Sequence, residues 1–181
     1  MTAKELITTR RSIREFTDEP VSHELLEEVI DMARFAPSWK NTQIARYVAV
    51  EGDTKDKVSK NCFEAWVGNA NMVAKAPMVI ALTYIKNRSG FERDGSFTTY
   101  KGDRWQNFDA GIAAQTFCLA AHEKGLGTVI LGIFDDKKAA EILNLSEDRE
   151  VAAFIVIGHP VAEAPVAPKR KEVSELITYL N

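Results

Sequence analysis

The apolar positions of the chain fall into stripes at helical spacing and short unbroken runs. Leu25, Leu26, Val29, Met32 and Ala33 recur every three to four residues, which predicts an amphipathic helix from Ser22 to about Ala36. Ser22 can cap it, Glu24, Glu27 and Glu28 suit its N-terminal half through the helix dipole, and Pro37 stops it. Residues 54–67 predict a second helix with Val58, Cys62, Ala65 and Trp66 on its apolar side. Residues 107–124 differ, because Ile112, Ala113, Ala114, Phe117, Cys118, Leu119, Ala120 and Ala121 leave almost no polar face. Such a helix must be buried within its domain or against another subunit. Shorter helices are expected at 3–8, 135–143 and 172–180.

The unbroken runs read as strands: 44–51, 78–83, 128–131 and 151–157. The run at 78–83 is apolar enough for burial on both faces and a central place in a sheet. Gly52-Asp53 breaks the first strand, and Gly125 suits the left-handed position that ends a helix. Residues 87–106 carry glycines, mixed charge and scattered aromatics without a period, so they read as a long excursion covering a site. Past Gly158-His159-Pro160 the chain becomes a Pro- and Ala-rich extended arm, about 158–181.

Composition narrows the function. At 181 residues, 45% hydrophobic and 27% charged, the chain is expected to form one globular domain, 1–181, and a net charge of −3 argues against a nucleic-acid backbone binder. The first residues lack the pattern of a secretory signal and no apolar stretch reaches membrane length, so a cytoplasmic protein without a membrane partner is expected. Cys62 and Cys118 read as free buried thiols. His23, His122 and His159 lack metal-ligand spacing, so no metal centre is expected, and His122 reads as a hydrogen-bonded core histidine. There is no G-x-S-x-G elbow, and Gly125, Gly127 and Gly132 follow a helix and not a strand, so they make no dinucleotide fingerprint.

What remains is basic and amide-rich. Arg10, Arg11, Ser12 and Arg14 form a dense cluster ending on Phe16, an aromatic that tethers the segment by its burial. Guanidinium forks match phosphate or carboxylate oxygens two at a time, although in isolation such a cluster reads equally as a solvated turn. A polar loop, Pro37-Ser38-Trp39-Lys40-Asn41-Thr42-Gln43, and a second basic cluster, Lys169-Arg170-Lys171, complete the inventory. Together they suit a ligand that joins a phosphate to a flat heterocycle, a nucleotide or a flavin.

The order RRSIREF (10–16), APSWKNTQ (36–43), LAAHEKGLGT (119–128) and IGHP (157–160) with an arm ending Lys-Arg-Lys resembles the nitroreductase family of FMN-dependent oxidoreductases, over nearly the whole chain. The resemblance implies an α+β three-layer fold, a mixed and mostly antiparallel sheet flanked by helices, in an intertwined homodimer with FMN tightly bound at each interface. It implies that Arg10 holds the phosphate with Arg11 and Ser12 beside it, and that Arg14 lies near the pyrimidine edge of the ring. Pro37, Ser38, Asn41 and Gln43 resemble the loop that reaches FMN from the partner subunit. The backbone at Leu131 and Gly132 resembles the stretch facing flavin N5, and Arg170 the late arginine that closes on the phosphate. Many relatives have Gln-Pro-Trp where this chain has Gln43-Ile44-Ala45, so the exit from that loop is altered.

The implied cycle is ping-pong: NAD(P)H reduces the flavin, leaves, and a nitroaromatic or quinone is reduced in the same pocket. It needs no side-chain nucleophile or base, hence no catalytic residue. Trp105 and Phe108 are positioned to stack on the acceptor and read equally as ordinary lid and core aromatics. A specialised flavin enzyme of the same fold, a dehalogenase or flavin-cleaving enzyme, and a non-catalytic FMN-storage protein are the competing readings.

Overall fold

A computed structural model describes residues 1–180. The order is α1 (Ala3–Thr9), α2 (His23–Ala33), a 3₁₀ turn (Trp39–Asn41), β1 (Ala45–Val50), α3 (Gly52–Cys62), α4 (Val67–Lys75), β2 (Met78–Ile85), α5 (Arg104–Glu123), β3 (Gly127–Leu131), α6 (Asp136–Ile142), β4 (Arg149–Gly158) and α7 (Val173–Leu176). The strands form one antiparallel sheet in the order β1-β2-β4-β3. Among the described residues the one parallel contact is the isolated bridge between Ser12 and Thr128, beside β3, so the sheet expected to be mixed is antiparallel in all its strand pairs.

The unbroken runs are the central strands because they are covered on both sides. Met78, Ile80 and Leu82 of β2 and Ile155 and Ile157 of β4 face a layer built from α2 and α5. Val79, Ala81, Phe154 and Val156 face the opposite layer, where Val58, Cys62, Val73 and Ala139 come from α3, α4 and α6. The result is a helix-sheet-helix sandwich, as the resemblance implied. Both cysteines are free and buried, and burial pushes the Cys62 thiol up to about 11, so it is an inert core group. Among the described residues no helix is long and apolar enough to cross a membrane.

Local signals placed several boundaries. The Ser22 hydroxyl accepts from the Leu25 N–H at 3.1 Å and starts α2. Gly125, at φ +78°, ends α5 in a Schellman arrangement: its N–H donates to His122 O at 3.1 Å and that of Leu126 to Ala121 O at 2.9 Å. Of α5 itself, Ala113, Ala114, Phe117, Cys118, Ala120 and Ala121 are buried, while Phe108 stays 59% exposed.

Other expectations are corrected. The helix foreseen at 54–67 ends at Cys62, and after a non-helical stretch from Phe63 to Trp66 the next helix begins at Val67. Phe63 turns inward, at ring-centroid distances of 5.5 Å from Phe154 and 6.5 Å from Phe134, and the Cys62 carbonyl accepts from Asp135 N–H instead of continuing the helix. Trp66, expected on the apolar side, is therefore 51% exposed. Gly52 ends β1 but also begins α3, α2 closes at Ala33, and the last helix covers only Val173–Leu176.

Candidate functional site

The arginine segment is tethered to the edge of the sheet. Ile13 N–H donates to Thr128 O at 3.0 Å, Ser12 bridges Thr128, Phe16 bridges Pro160, and Thr17 N–H donates to His159 O at 2.9 Å. Two glycines paired across β3 and β4, Gly127 and Gly158, make room for it. A Cβ on Gly127 would lie 2.8 Å from Ile13 Cβ, and one on Gly158 would lie 3.0 Å from the Phe16 ring. Phe16 is half-buried and packs on the second core layer.

Three grooves follow one another along this segment. The first, about 280 Å³, is lined by Arg10, Arg11, Ile13, His122 and the backbone from Gly125 to Thr128. The second, also about 280 Å³, is lined by Ser12, Ile13, Arg14 and Glu15. The third, about 350 Å³, joins Arg14, Glu15 and Phe16 to Gly68, Asn71, Met72 and Lys75 of α4. Neighbouring grooves share lining residues, Ile13 between the first two and Arg14 and Glu15 between the last two, so together they form a trough of successive grooves along the segment, with a guanidinium pair at one end and Arg14 with Lys75 at the other.

The basic end holds unsatisfied donors. Arg10 Nε and Arg11 Nε are buried without a hydrogen-bond partner. A buried donor left unmade costs roughly 1–3 kcal/mol, so two such groups side by side fit an anionic ligand that would satisfy them. Arg11 is partly committed already, its Nη1 donating to Thr8 O at 2.7 Å and Arg10 O at 2.9 Å. His122 is hydrogen-bonded, as expected, but to Thr9 at the edge of this groove and not in the core. Its Nε2 lies 2.9 Å from Thr9 Oγ1, whose proton goes to Glu5 O at 2.7 Å, so Nε2 must carry the donated hydrogen. Burial, then the charges of Arg10 and Arg11, holds the imidazole below its ordinary range, so it is neutral at pH 7 and does not repel the arginines.

The polar loop lies elsewhere. It leads into β1, at the sheet edge opposite β3, three strand spacings or about 14 Å across. Pro37, Ser38 and Gln43 line a cavity of about 330 Å³ with Arg34, Arg46, Tyr47 and Asp109. Within the loop Lys40, Asn41 and Gln43 all have positive φ, +43°, +56° and +50°. Left-handed backbone costs a non-glycine residue on the order of 1 kcal/mol, and several in a row persist only where surroundings enforce them. Gln43 N–H donates to Ser38 Oγ at 2.8 Å, and Arg46 Nη1 donates to Gln43 O at 2.7 Å. Asn41 and Gln43 project outward, exposed.

One chain thus brings Arg10, Arg11, Ser12 and Arg14 together, and separately Pro37, Ser38, Asn41 and Gln43, but does not join the groups. Leu131 ends β3 on the arginine side, and Gly132 follows with open space about it. Arg170 lies on the exposed arm and makes no hydrogen bond or ion pair among the described residues. Trp105 and Phe108 form one aromatic cluster with Trp39 of the loop, at centroid distances of 4.4 Å for Trp39–Trp105 and 5.4 Å for Trp105–Phe108. Sequence reasoning missed Asn71 and Lys75, whose i,i+4 spacing sets them on one face of α4. It also missed Asp109.

The fold and this trough define a class, and comparison with known proteins agrees. The model of the nitroreductase family matches residues 7–159. The chain is 30% identical, over 97% of its length and 73% of the relative's, to FMN reductase [NAD(P)H] of Bacillus subtilis. It is 36% identical to nitrobenzene nitroreductase of Ectopseudomonas oleovorans, covering 98% and 96% of the two chains. Among solved structures it superposes on a putative nitroreductase of Desulfovibrio desulfuricans in complex with FMN, with a TM-score of 0.77, 27% identity and coverage of 98% and 96%. The chain belongs to the nitroreductase family, and its class is that of FMN-dependent NAD(P)H oxidoreductases.

Proposed function

We propose that the protein is a cytoplasmic homodimer that reduces nitroaromatics or quinones with NAD(P)H, through an FMN held between its subunits. The observation that carries the site is the trough along residues 10–16, whose basic end has two buried guanidinium nitrogens with no partner. Arg10, aided by Arg11 and Ser12, binds the phosphate. Arg14, with Lys75 and Asn71 in the same groove, addresses the pyrimidine edge of the ring. FMN, when bound, supplies the hydride chemistry. The chain's own contribution would be positive charge beside the ring, which favours the anionic reduced flavin, and the backbone at the end of β3, Leu131 and the exposed Gly132, which would be offered to N5.

The loop at the opposite sheet edge supports a composite site. Pro37, Ser38, Asn41 and Gln43 cannot turn toward the arginines of their own chain across the sheet, so they serve the FMN of a second copy. The arm supports the same arrangement: residues 161–180 are exposed throughout, with Val166, Val173, Leu176, Tyr179 and Leu180 each more than two-thirds bare. An arm of this composition is stabilised by wrapping a partner, and this would carry Arg170 to the partner's phosphate. Trp105 and Phe108, beside the loop, stack on the acceptor.

Purified protein is expected to be yellow, to bleach without air when NADH or NADPH is added, and to regain colour on adding a nitroaromatic or a quinone. A yellow protein that neither nicotinamide reduces would favour FMN storage. A colourless protein that takes up no added FMN would overturn the assignment.

A further inference from the structure

Asp109 is only 3% exposed, lies near the start of α5, and forms no ion pair among the described residues. A buried carboxylate without a cation is costly unless several donors converge on it. They do. Trp39 N–H donates to both its oxygens, at 3.0 Å each, and the Ser89 hydroxyl donates to Oδ2 at 2.6 Å. Ser89 is itself fully buried, and its oxygen lies 2.7 Å from Thr42 Oγ1. With the Ser89 proton committed to Asp109, Thr42 is the donor in that pair. One carboxylate therefore joins three parts of the chain: the long helix, the polar loop at 38–43 and the covering segment at 87–106.

The loop needs such an anchor. Two of its three left-handed residues, Lys40 and Asn41, follow directly on Trp39, the residue that Asp109 grips by its backbone, and the third, Gln43, comes one residue later, after Thr42. Further links run between the same two segments: Lys40 Nζ lies 3.1 Å from Glu92 Oε1, and Trp39 packs against Trp105. These lie on the outer side, where Lys40 and Glu92 are about half exposed and an ion pair contributes little. The Asp109 and Ser89 bonds are shielded from water and hold the geometry.

We propose that Asp109 is the positioning residue of the partner-facing half of the flavin site. It holds residues 38–43 in the conformation that presents Ser38, Asn41 and Gln43, and it ties that loop to the covering segment so that the two move as one body. Asp109 acts through Trp39 and Ser89, whose hydrogen bonds engage both its oxygens. Its consequence for FMN rests on the function proposed above, while the mechanical claim stands on the geometry alone.

Two readouts test it in the full-length protein. In Asp109→Ala, hydrogen exchange is expected to quicken about tenfold or more at the Trp39–Thr42 amides and at 88–92, with the strand amides of β2 and β4 unchanged. FMN added to the apoprotein is expected to bind about tenfold more weakly or worse. Asp109→Asn keeps one acceptor oxygen and should fall between Ala and wild type in both readouts, and it carries the test if Asp109→Ala does not fold. Ser89→Ala removes the bonds of the covering segment to Asp109 and to Thr42 but leaves the Trp39 N–H on the carboxylate, so exchange should quicken at 88–92 more than at Trp39, and the KM for acceptor should rise by a larger factor than kcat falls. Unaltered exchange at 38–43 in both Asp109 variants would overturn the proposal, and so would an acceleration spread evenly over the whole chain. A wild-type protein that binds no FMN would defeat the functional reading instead, leaving the exchange data to decide the clamp.

Discussion

Arg10→Ala is expected to weaken FMN binding about thirtyfold while leaving the apoprotein as stable as before, or more stable. On the proposed function the lost group is a charge-assisted anchor for a phosphate, and such hydrogen bonds contribute on the order of 2 kcal/mol, which is about thirtyfold in a dissociation constant. The stability half of the prediction comes from the unliganded chain, in which Arg10 Nε is buried and makes no hydrogen bond. Removing it takes away an uncompensated donor and one of two neighbouring positive charges, so the fold loses little that supported it. Arg11→Ala should separate these effects differently, because Arg11 Nη1 also closes the end of α1 through the Thr8 and Arg10 carbonyls. FMN fluorescence quenching and apoprotein melting on the same samples check both halves. A fall in apoprotein stability as large as the fall in affinity would mean that Arg10 is a structural residue.

Gly127→Ala should harm both fold and site. Its φ is ordinary for any residue, so the cost is purely one of space: the new Cβ would come within 2.8 Å of Ile13 Cβ and Cγ1. These are branched atoms next to the backbone, without the freedom of a flexible side-chain tip. Either residues 10–16 lift from β3 or the sheet edge shifts. Overpacking of this kind costs about 1–3 kcal/mol. Lifting the segment also misplaces Arg10, Ser12 and Arg14, so FMN affinity should fall with stability, in contrast to Arg10→Ala. Thermal melting of the apoprotein alongside FMN titration measures this, and a variant unchanged in both would show that the segment does not depend on the slot between the paired glycines.

The contrast between these variants shows which physical information the sequence carries. Short-range signals were legible: Ser22 as a cap, Gly125 as a stop, the unbroken runs of β2 and β4 as central strands, and α5 as a helix with too little polar surface to stand alone. What depends on distant partners was not. Nothing local marks Phe63 as the point where a helix must break, because the cause is the ring of Phe154 and the amide of Asp135, far along the chain. Asp109 reads as one more polar residue at a helix start until Trp39 and Ser89 are seen to meet on it. The arginine cluster was legible as a candidate and took on meaning from its four ordered motifs. Its division from the 38–43 loop by the width of the sheet appears only when the strand order places β1 and β3 at opposite edges.

That division makes subunit complementation the most direct test of a site shared by two chains. In the proposed arrangement Arg10→Ala damages the arginine half and Asn41→Ala the loop half, so each homodimer would carry two damaged sites. Random exchange of subunits between the two variants would place one intact site in each mixed dimer, about a quarter of all sites. FMN binding at wild-type affinity should therefore return to about a quarter of sites after unfolding and refolding the two variants together, and not after refolding either alone. A mixture that recovers none, although mixed dimers form, would contradict a site assembled from two subunits.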